Sequence, residues 1–396
     1  MKKILFPILT TASLFCACTS NNFIKENVEF AAAQIDGAVE RAEAHMAETL
    51  RFGAPIDLQA DKKTVYYGDH RAWQGGFFQG SLWYLYELTG EEKYAETAQR
   101  YTEAISDVQY ITDNHDVGFI CMSSFGNGMR LKDLDYKAII VQTAESLMTR
   151  WREAPGLIQS WETSVELDRK CPVIIDNMMN LELLFKATEL TGDQKYFDAA
   201  VSHADRTLKE HFRADGSCWH VVDYNPETGE VRKKVTAQGY SDDSIWSRGQ
   251  AWAIYGYTMA YRCTGYRRYI DQAVKTFEMM KNHPNMADDC IAWWDMCCPD
   301  IPDTFRDVST SSIMASALYE MSTMDVDNAS QYKDYADRIM ASLASPAYRA
   351  PLGENGNFIL MHSVGSIPHK SEIDVPLNYA DYYFLEALKR KRDIEK

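Results

Sequence analysis

The sequence predicts an all-α chain of repeated helical hairpins. Two observations carry this: a phrase that returns along the chain, and apolar residues spaced three and four apart. The phrase first reads Tyr84-Leu85-Tyr86-Glu87-Leu88-Thr89-Gly90 before Lys93-Tyr94-Ala95-Glu96-Thr97-Ala98. It returns as Ala187-Thr188-Glu189-Leu190-Thr191-Gly192 before Lys195-Tyr196-Phe197-Asp198-Ala199-Ala200. A third copy places Tyr261-Arg262-Cys263-Thr264-Gly265 before Tyr269-Ile270-Asp271-Gln272-Ala273, and Tyr332-Lys333-Asp334-Tyr335-Ala336 is a degenerate fourth. Each reads as a helix ended by a left-handed glycine, a tight turn, and a second helix whose tyrosine docks back. Flanking residues keep the helical period, as in Ala98, Tyr101, Thr102, Ile105 and in Ala273, Phe277, Met280. Such hairpins cannot bury their inner faces alone, so they must stack, as an open solenoid or a closed toroid. The long polar or aromatic segments at residues 52–74, 107–134, 212–247, 284–308 and 346–376 favour closure. As loops they would gather at one end of a ring, the usual place for function on a rigid scaffold. One helical domain is expected over residues 25–392, because no linker rich in Pro, Gly or Ser divides it.

Bulk composition narrows the function. The 396 residues are 46% hydrophobic and 25% charged, as in a folded globular protein. A net charge of −16, from 41 basic and 57 acidic residues, argues against nucleic acid, which needs a basic footprint. An anionic substrate would need a local cationic pocket working against that field. With 9 Trp and 23 Tyr the chain has the flat rings that suit sugar C–H faces, although the same residues also fill cores.

The N-terminus reads as an export signal over residues 1–17. Met1-Lys2-Lys3 is its positive start, residues 4–15 its apolar stretch, and Cys16-Ala17-Cys18 its close. The stretch is too short to span a membrane. A small residue followed by Cys resembles a bacterial lipoprotein signal, which would make Cys18 the acylated first residue and residues 18–24 a tether. A plain cleaved signal with a chance cysteine is the alternative. Thr19-Ser20-Asn21-Asn22 lacks the acidic residues of surface-export tags, so a periplasmic location is expected, with membrane contact only through the lipid. The seven later cysteines are odd in number and irregularly spaced, with no CxxC pair; most read as small buried hydrophobes.

Two aspartates are the strongest chemical candidates. Asp116, in Asn114-His115-Asp116-Val117-Gly118-Phe119, and Asp176, in Ile174-Ile175-Asp176-Asn177-Met178-Met179-Asn180, both sit where an apolar run meets a helix. A carboxyl there is costly unless hydrogen-bonded, and desolvation raises its proton affinity. One acid to deliver a proton and one to hold substrate or help with water is what sugar chemistry needs. Asp commonly caps a helix, and that is the plain alternative for Asp176. Its wholly apolar flanks point the carboxyl to a cavity instead. Trp73 precedes Gln74-Gly75-Gly76-Phe77, where glycines let a backbone approach a ligand. Arg248 and Trp252 lie one turn apart, a carboxylate fork beside an aromatic plate. Arg248 has no obvious acid partner nearby, which points it at a ligand carboxylate. His220, on a strand-like run, is a weaker candidate, since a lone histidine there is more often a core residue. The chain has no GxGxxG, P-loop, HExxH or GxSxG pattern, so no cofactor or metal is expected.

Together these motifs resemble the unsaturated glucuronyl hydrolases, family 88 of the glycoside hydrolases, over essentially the whole mature length. The stretches that carry the resemblance are residues 73–83, His115-Asp116-Val117-Gly118-Phe119, Asp176-Asn177-Met178-Met179-Asn180 and Asp223-Tyr224-Asn225-Pro226-Glu227-Thr228-Gly229. They continue in residues 238–252 and in Asp374-Val375-Pro376-Leu377 before Tyr382-Tyr383-Phe384-Leu385-Glu386. The resemblance implies an (α/α)6 barrel and removal of a 4,5-unsaturated uronic acid from lyase-generated oligosaccharides, of glycosaminoglycan type. It implies that Asp176 protonates C4, that charge develops at C5 beside the ring oxygen, and that the same carboxylate activates the attacking water. The hemiketal then opens. Asp116 would bind sugar hydroxyls and keep Asp176 protonated; His220, Gln238, Arg248 and Trp252 would surround the uronate, with Trp73 in the stacking wall, and His115 beside Asp116 is a further substrate-binding candidate. In relatives acting on sulfated sugars a Ser/Lys loop binds sulfate; the segment Ser363-Val364-Gly365-Ser366-Ile367-Pro368-His369-Lys370-Ser371 stands in its place with a different spacing. Rival expectations are an unsaturated rhamnogalacturonyl hydrolase, an inverting glycosidase with carboxyls roughly 6.5–9.5 Å apart, and a lipid-anchored glycan-binding protein without catalysis.

Overall fold

The computed structural model describes residues 11–396, with side chains from residue 22 onward. Residues 1–10 of the expected signal lie outside the described residues, as does the side chain of Cys18. Helix α1 (Thr11–Thr49) runs through residues 18–24, the expected tether, and Ile24 is already buried. None of the described helices is long and apolar enough to cross a membrane.

After α1 come β1 (Pro55–Leu58) and β2 (Val65–Tyr67), then α2 (Phe77–Thr89) and α3 (Glu92–Ala104). Next are α4 (Val117–Cys121), a π turn (Met122–Gly126), α5 (Asn127–Lys132) and α6 (Lys137–Met148). The short strands β3 (Trp151–Arg152), β4 (Leu157–Ile158) and β5 (Pro172–Ile174) lead to α7 (Asn177–Thr191) and α8 (Gln194–Glu210). Strands β6 (Val221–Tyr224) and β7 (Val231–Val235) precede α9 (Ser247–Thr264) and α10 (Arg267–Lys281). The chain ends with α11 (Val308–Met321), α12 (Ala329–Leu343), β8 (Ser363–Ser366), β9 (Ser371–Val375) and α13 (Asn378–Glu395).

The expected ring closes. Helix α2 packs on α13, α13 on α11, α11 on α9, α9 on α7, and α7 on α4, while the π turn and α5 return to α2. Helices α3, α6, α8, α10, α12 and α1 form the outer layer, each against an inner partner. The expected glycine stops are present: Gly90, Gly192 and Gly265 take φ of 75°, 73° and 69° and donate to Tyr86, Thr188 and Tyr261. Tyr94, Tyr196 and Tyr269 dock back and are buried.

Residues 107–134, expected as a loop, are instead mostly helical and complete the inner ring. Gly118, Ser123, Ser124, Gly126 and Gly128 look like loop residues in sequence but serve close packing. A Cβ on Gly118 would sit 2.6 Å from the Asn180 Cα, so only glycine lets α4 press against α7. The serine hydroxyls bond back to Phe119 and Ile120 carbonyls at 2.6 and 2.5 Å, which satisfies them inside a helix. Gly256 does for α9 what Gly118 does for α4: its Cβ would meet that of Met178 at 2.5 Å. Both close approaches converge on the first turn of α7.

The remaining long segments carry small antiparallel sheets, β1–β2, β5–β6–β7 and β8–β9, which composition had left as loops. Strand β5 leads into α7, β7 into α9 and β9 into α13, so these sheets sit over the N-terminal ends of the inner helices. Cross-bridges Asp57 to Leu377, Trp246 to Asp295 and Trp293 to Arg306 tie the segments into one rim.

Candidate active site

Asp176 is delivered by a strand that stops abruptly. Pro172, Val173 and Ile174 pair with Asp223, Val222 and Val221, and the Ile175 N–H donates to the His220 carbonyl. The chain then turns into α7 with Asp176 at φ −57°, ψ −27°, already helical, and its side chain makes no capping bond. The plain alternative of a helix cap is thus excluded. Its Oδ2 is buried without a hydrogen-bond partner, although the side chain keeps 14% of its surface open to the recess. Burial pushes its pKa up to about 7. The Arg248 cation opposes that rise, the Asp116 charge adds to it, and the Trp252 indole N–H works in the same direction as Arg248.

His220 faces this carboxylate, with Nε2 3.9 Å from Asp176 Oδ2. Its Nδ1 accepts the backbone N–H groups of Ala237 and Gln238 at 3.1 and 3.3 Å, which assigns the ring proton to Nε2. Burial holds the imidazole neutral, far below its usual range. The ring lies between Trp246 at 4.2 Å and the edge of Trp161 at 6.0 Å.

Asp116 opens α4, its backbone N–H held by Asn114 Oδ1 at 2.9 Å, and burial pushes its pKa up to about 7. His115 backs it with Nε2 3.3 Å away. His115 itself has no exposed surface, and burial pushes its pKa down to about 3. Asn180 clamps the arrangement from α7, accepting the Phe119 N–H at 2.8 Å while its amide lies 3.4 Å from His115 Nδ1. His115 therefore meets Asp116 and Asn180 rather than the open recess.

Arg248 departs from expectation. No acid partner is near it in sequence, but Asp307, 59 residues on, takes Nη1 at 3.2 Å. Nη1 also donates to the Val364 carbonyl, and Nη2 donates to Gln238 Oε1 at 2.9 Å and the Gly365 carbonyl at 2.7 Å. Both terminal nitrogens are thus filled by protein acceptors, and the fork expected for a ligand carboxylate is already occupied. Arg248 acts on the recess by its charge and by fixing Gln238. Asp307 was missed although its cap was legible: it accepts from the Ser309 N–H, the Ser309 hydroxyl and the Thr310 hydroxyl at 3.1, 2.6 and 2.9 Å.

Aromatic rings make the wall. Half-buried Trp73 meets Tyr379 at 4.6 Å, Phe119 at 5.5 Å and, edge-on, Trp252 at 6.4 Å. Trp252 is fully buried, so Trp73 presents the accessible face. Trp161, also half-buried and missed in sequence, stands beside His220 with the Arg169 guanidinium over its ring at 5.4 Å. Among the described residues no group of three His, Cys, Asp or Glu side chains could hold a metal, and the seven cysteines beyond the signal are unpaired. The recess can keep a carboxyl protonated near neutral pH, against a flat ring, beside a second acid.

The model of Glycosyl Hydrolase Family 88 matches residues 46–391. The chain belongs to this family. It is 43% identical to the unsaturated glucuronyl hydrolase of Formosa agariphila over 86% of this chain and 85% of that one. Its fold matches an unsaturated glucuronyl hydrolase specific for heparin with a TM-score of 0.88, at 40% identity, covering 94% of this chain and 98% of the other. It also matches an aspartate-to-asparagine variant of the Streptococcus agalactiae enzyme complexed with dGlcA-GalNAc6S, with a TM-score of 0.75 at 28% identity over 93% and 90% of the chains. The family 88 chain is accordingly a glycoside hydrolase on an (α/α)6 barrel.

The raised pKa of Asp176 has a stability consequence with a definite sign. The unfolded chain releases this proton near 3.8 and the native one near 7, so between them the native state holds more protons and loses stability as pH rises. Asp176→Asn should therefore unfold at a higher temperature than the parent above pH 7, and the two should converge below about pH 4. Thermal melts across that range check this; a gap that grows toward acid would contradict it.

Proposed function

We propose that this enzyme removes a 4,5-unsaturated uronic acid from the non-reducing end of lyase-generated glycosaminoglycan oligosaccharides, with Asp176 as its acid and base. The observation that carries the assignment is the Asp176 carboxyl itself: buried, uncapped, proton-retaining, and opposite a neutral His220. Protonation of C4 by Asp176 leaves positive charge at C5, shared with the ring oxygen. The carboxylate so formed then takes a proton from the water that attacks C5, and the hemiketal opens to release the neighbouring sugar. One group serves both steps because the proton leaves and returns at one place. Asp116, held by His115 and Asn180, binds sugar hydroxyls and keeps the shared charge low. Trp73 stacks on the sugar, while His220 and Gln238 orient it.

The glycosaminoglycan class is supported by the similar enzyme described as specific for heparin and by the complex with dGlcA-GalNAc6S. The β8–β9 hairpin adds a local feature. Ser366 Oγ is already bonded to His369 Nδ1 at 2.7 Å, and Lys370 is exposed at the turn. A sulfate would have to displace that serine–histidine bond or rely on Lys370 alone. Periplasmic residence on a lipid at Cys18 is supported by the signal-like N-terminus only.

Turnover is followed as loss of the absorbance of the conjugated double bond in unsaturated disaccharides from hyaluronan, chondroitin sulfates, heparin and pectin. Asp176→Asn and Asp176→Ala should lose at least about a hundredfold in kcat while keeping the parent circular dichroism. Activity above about one hundredth of the parent would remove Asp176 from its role. For the anchor, radiolabelled palmitate should enter the parent in cells but not Cys18→Ala; equal labelling would rule out acylation at Cys18.

A further inference from the structure

A second pair of acids lies behind the wall of the recess, unused by the chemistry above. Asp57 of β1 and Glu372 of β9 meet where these strands pack, and each carboxyl acts on the other's proton. Asp57 is buried. Gln74, next to Trp73, donates to Glu372 Oε1 at 3.0 Å. Glu372 takes φ of 54°, a backbone state that L side chains rarely adopt unless surroundings hold them there. Gly365 opposite makes the room, since a Cβ on it would lie 2.0 Å from Glu372 Oε2. The carbonyl of that same glycine receives Arg248 Nη2. Glu372 therefore overlies the peptide that grips Arg248.

Two adjacent carboxyls hold a single charge more cheaply than two. Burial raises the Glu372 carboxyl as well, but the field of Arg248 opposes that rise and favours the pair's charge on Glu372. Asp57 keeps the proton, its pKa pushed up to about 8 by burial and by Glu372. Arg248 is thus flanked by Asp307, directly bonded, and by Glu372, one peptide away. Unbalanced, the Arg248 cation would pull Asp176 toward its ionised form.

We propose that Glu372 is a positioning residue of the reaction: paired with Asp57 and held by Gln74, it joins Asp307 in balancing Arg248 beside Asp176. This rests on Asp176 being the acid. The groups around Glu372 are Asp57 from β1, Gln74 from the turn before α2, Arg248 from α9, Asp307 before α11 and Tyr379 from α13. Those around Asp176 are Asp116, Cys218, His220, Arg248 and Trp252.

The test is the pH profile of kcat/KM on an unsaturated disaccharide for the parent, Glu372→Gln, Glu372→Asp and Asp57→Asn, with Asp176→Asn as control. Glu372→Gln should bring the alkaline limb about one pH unit lower, a loss of about tenfold at pH 8 with near-parent activity at pH 5.5. Glu372→Asp and Asp57→Asn keep the single negative charge and should keep the limb in place. A Glu372→Gln enzyme that is slower at every pH with an unmoved limb would show a merely structural role and overturn the proposal. Should that variant not fold, Gly365→Ala displaces the same carboxylate, and an unmoved limb there overturns it equally. An active Asp176→Asn control would instead remove the assignment of the acid, which is a separate failure.

Discussion

The chemistry depends on keeping one proton on a carboxyl that bulk water barely reaches. Burying Asp176 penalises its ionised form, and the Arg248 cation and the Trp252 N–H offset that penalty only in part. An uncapped aspartate at a helix start is the structural expression of this. The first N–H groups of α7 point toward the turn, yet the carboxyl declines them and faces the cavity. The rest of the barrel can be understood as what holds it there. Strand β5 ends at the right residue, and glycines 118 and 256 let α4 and α9 close on α7 from both sides.

Two opposing charges tune that proton. Arg248 favours release and Asp116 favours retention, so their placement matters as much as burial. Arg248 is pinned by Asp307, Gln238 and two carbonyls of the β8 hairpin, and its charge arrives at a fixed distance with little freedom to reorganise. A cation pinned in this way acts on the Asp176 carboxyl without having to move during reaction. Sugar recognition is left to rings and amides along the rim, where the short sheets meet.

Much of this was legible in the sequence because the signals were local. Gly90, Gly192 and Gly265 stop helices through their own backbone freedom, and Asp116 and Asp176 betray themselves by apolar neighbours. The failures share a different cause. Residues 117–132 read as a loop because glycine and serine there answer to a partner helix, and the partner is invisible in a local window. Arg248 looked unpaired because Asp307 lies 59 residues away, and Glu372 stood unremarked because its partner Asp57 comes from the far end of the chain. Trp161 was one aromatic among many until the fold set it beside His220.

The most direct measurement is the titration of the Asp176 carboxyl itself, by carbon NMR of a protein labelled at aspartate side chains and assigned through Asp176→Asn. A carboxyl resonance titrating with an apparent midpoint near 7, lost in the variant, is the expected result. Because Asp116 titrates in the same range and is coupled to it, the assigned midpoint belongs to the pair. If the resonance removed by the substitution titrates near 4 instead, Asp176 is an ordinary solvated carboxylate and cannot hold a proton for the double bond.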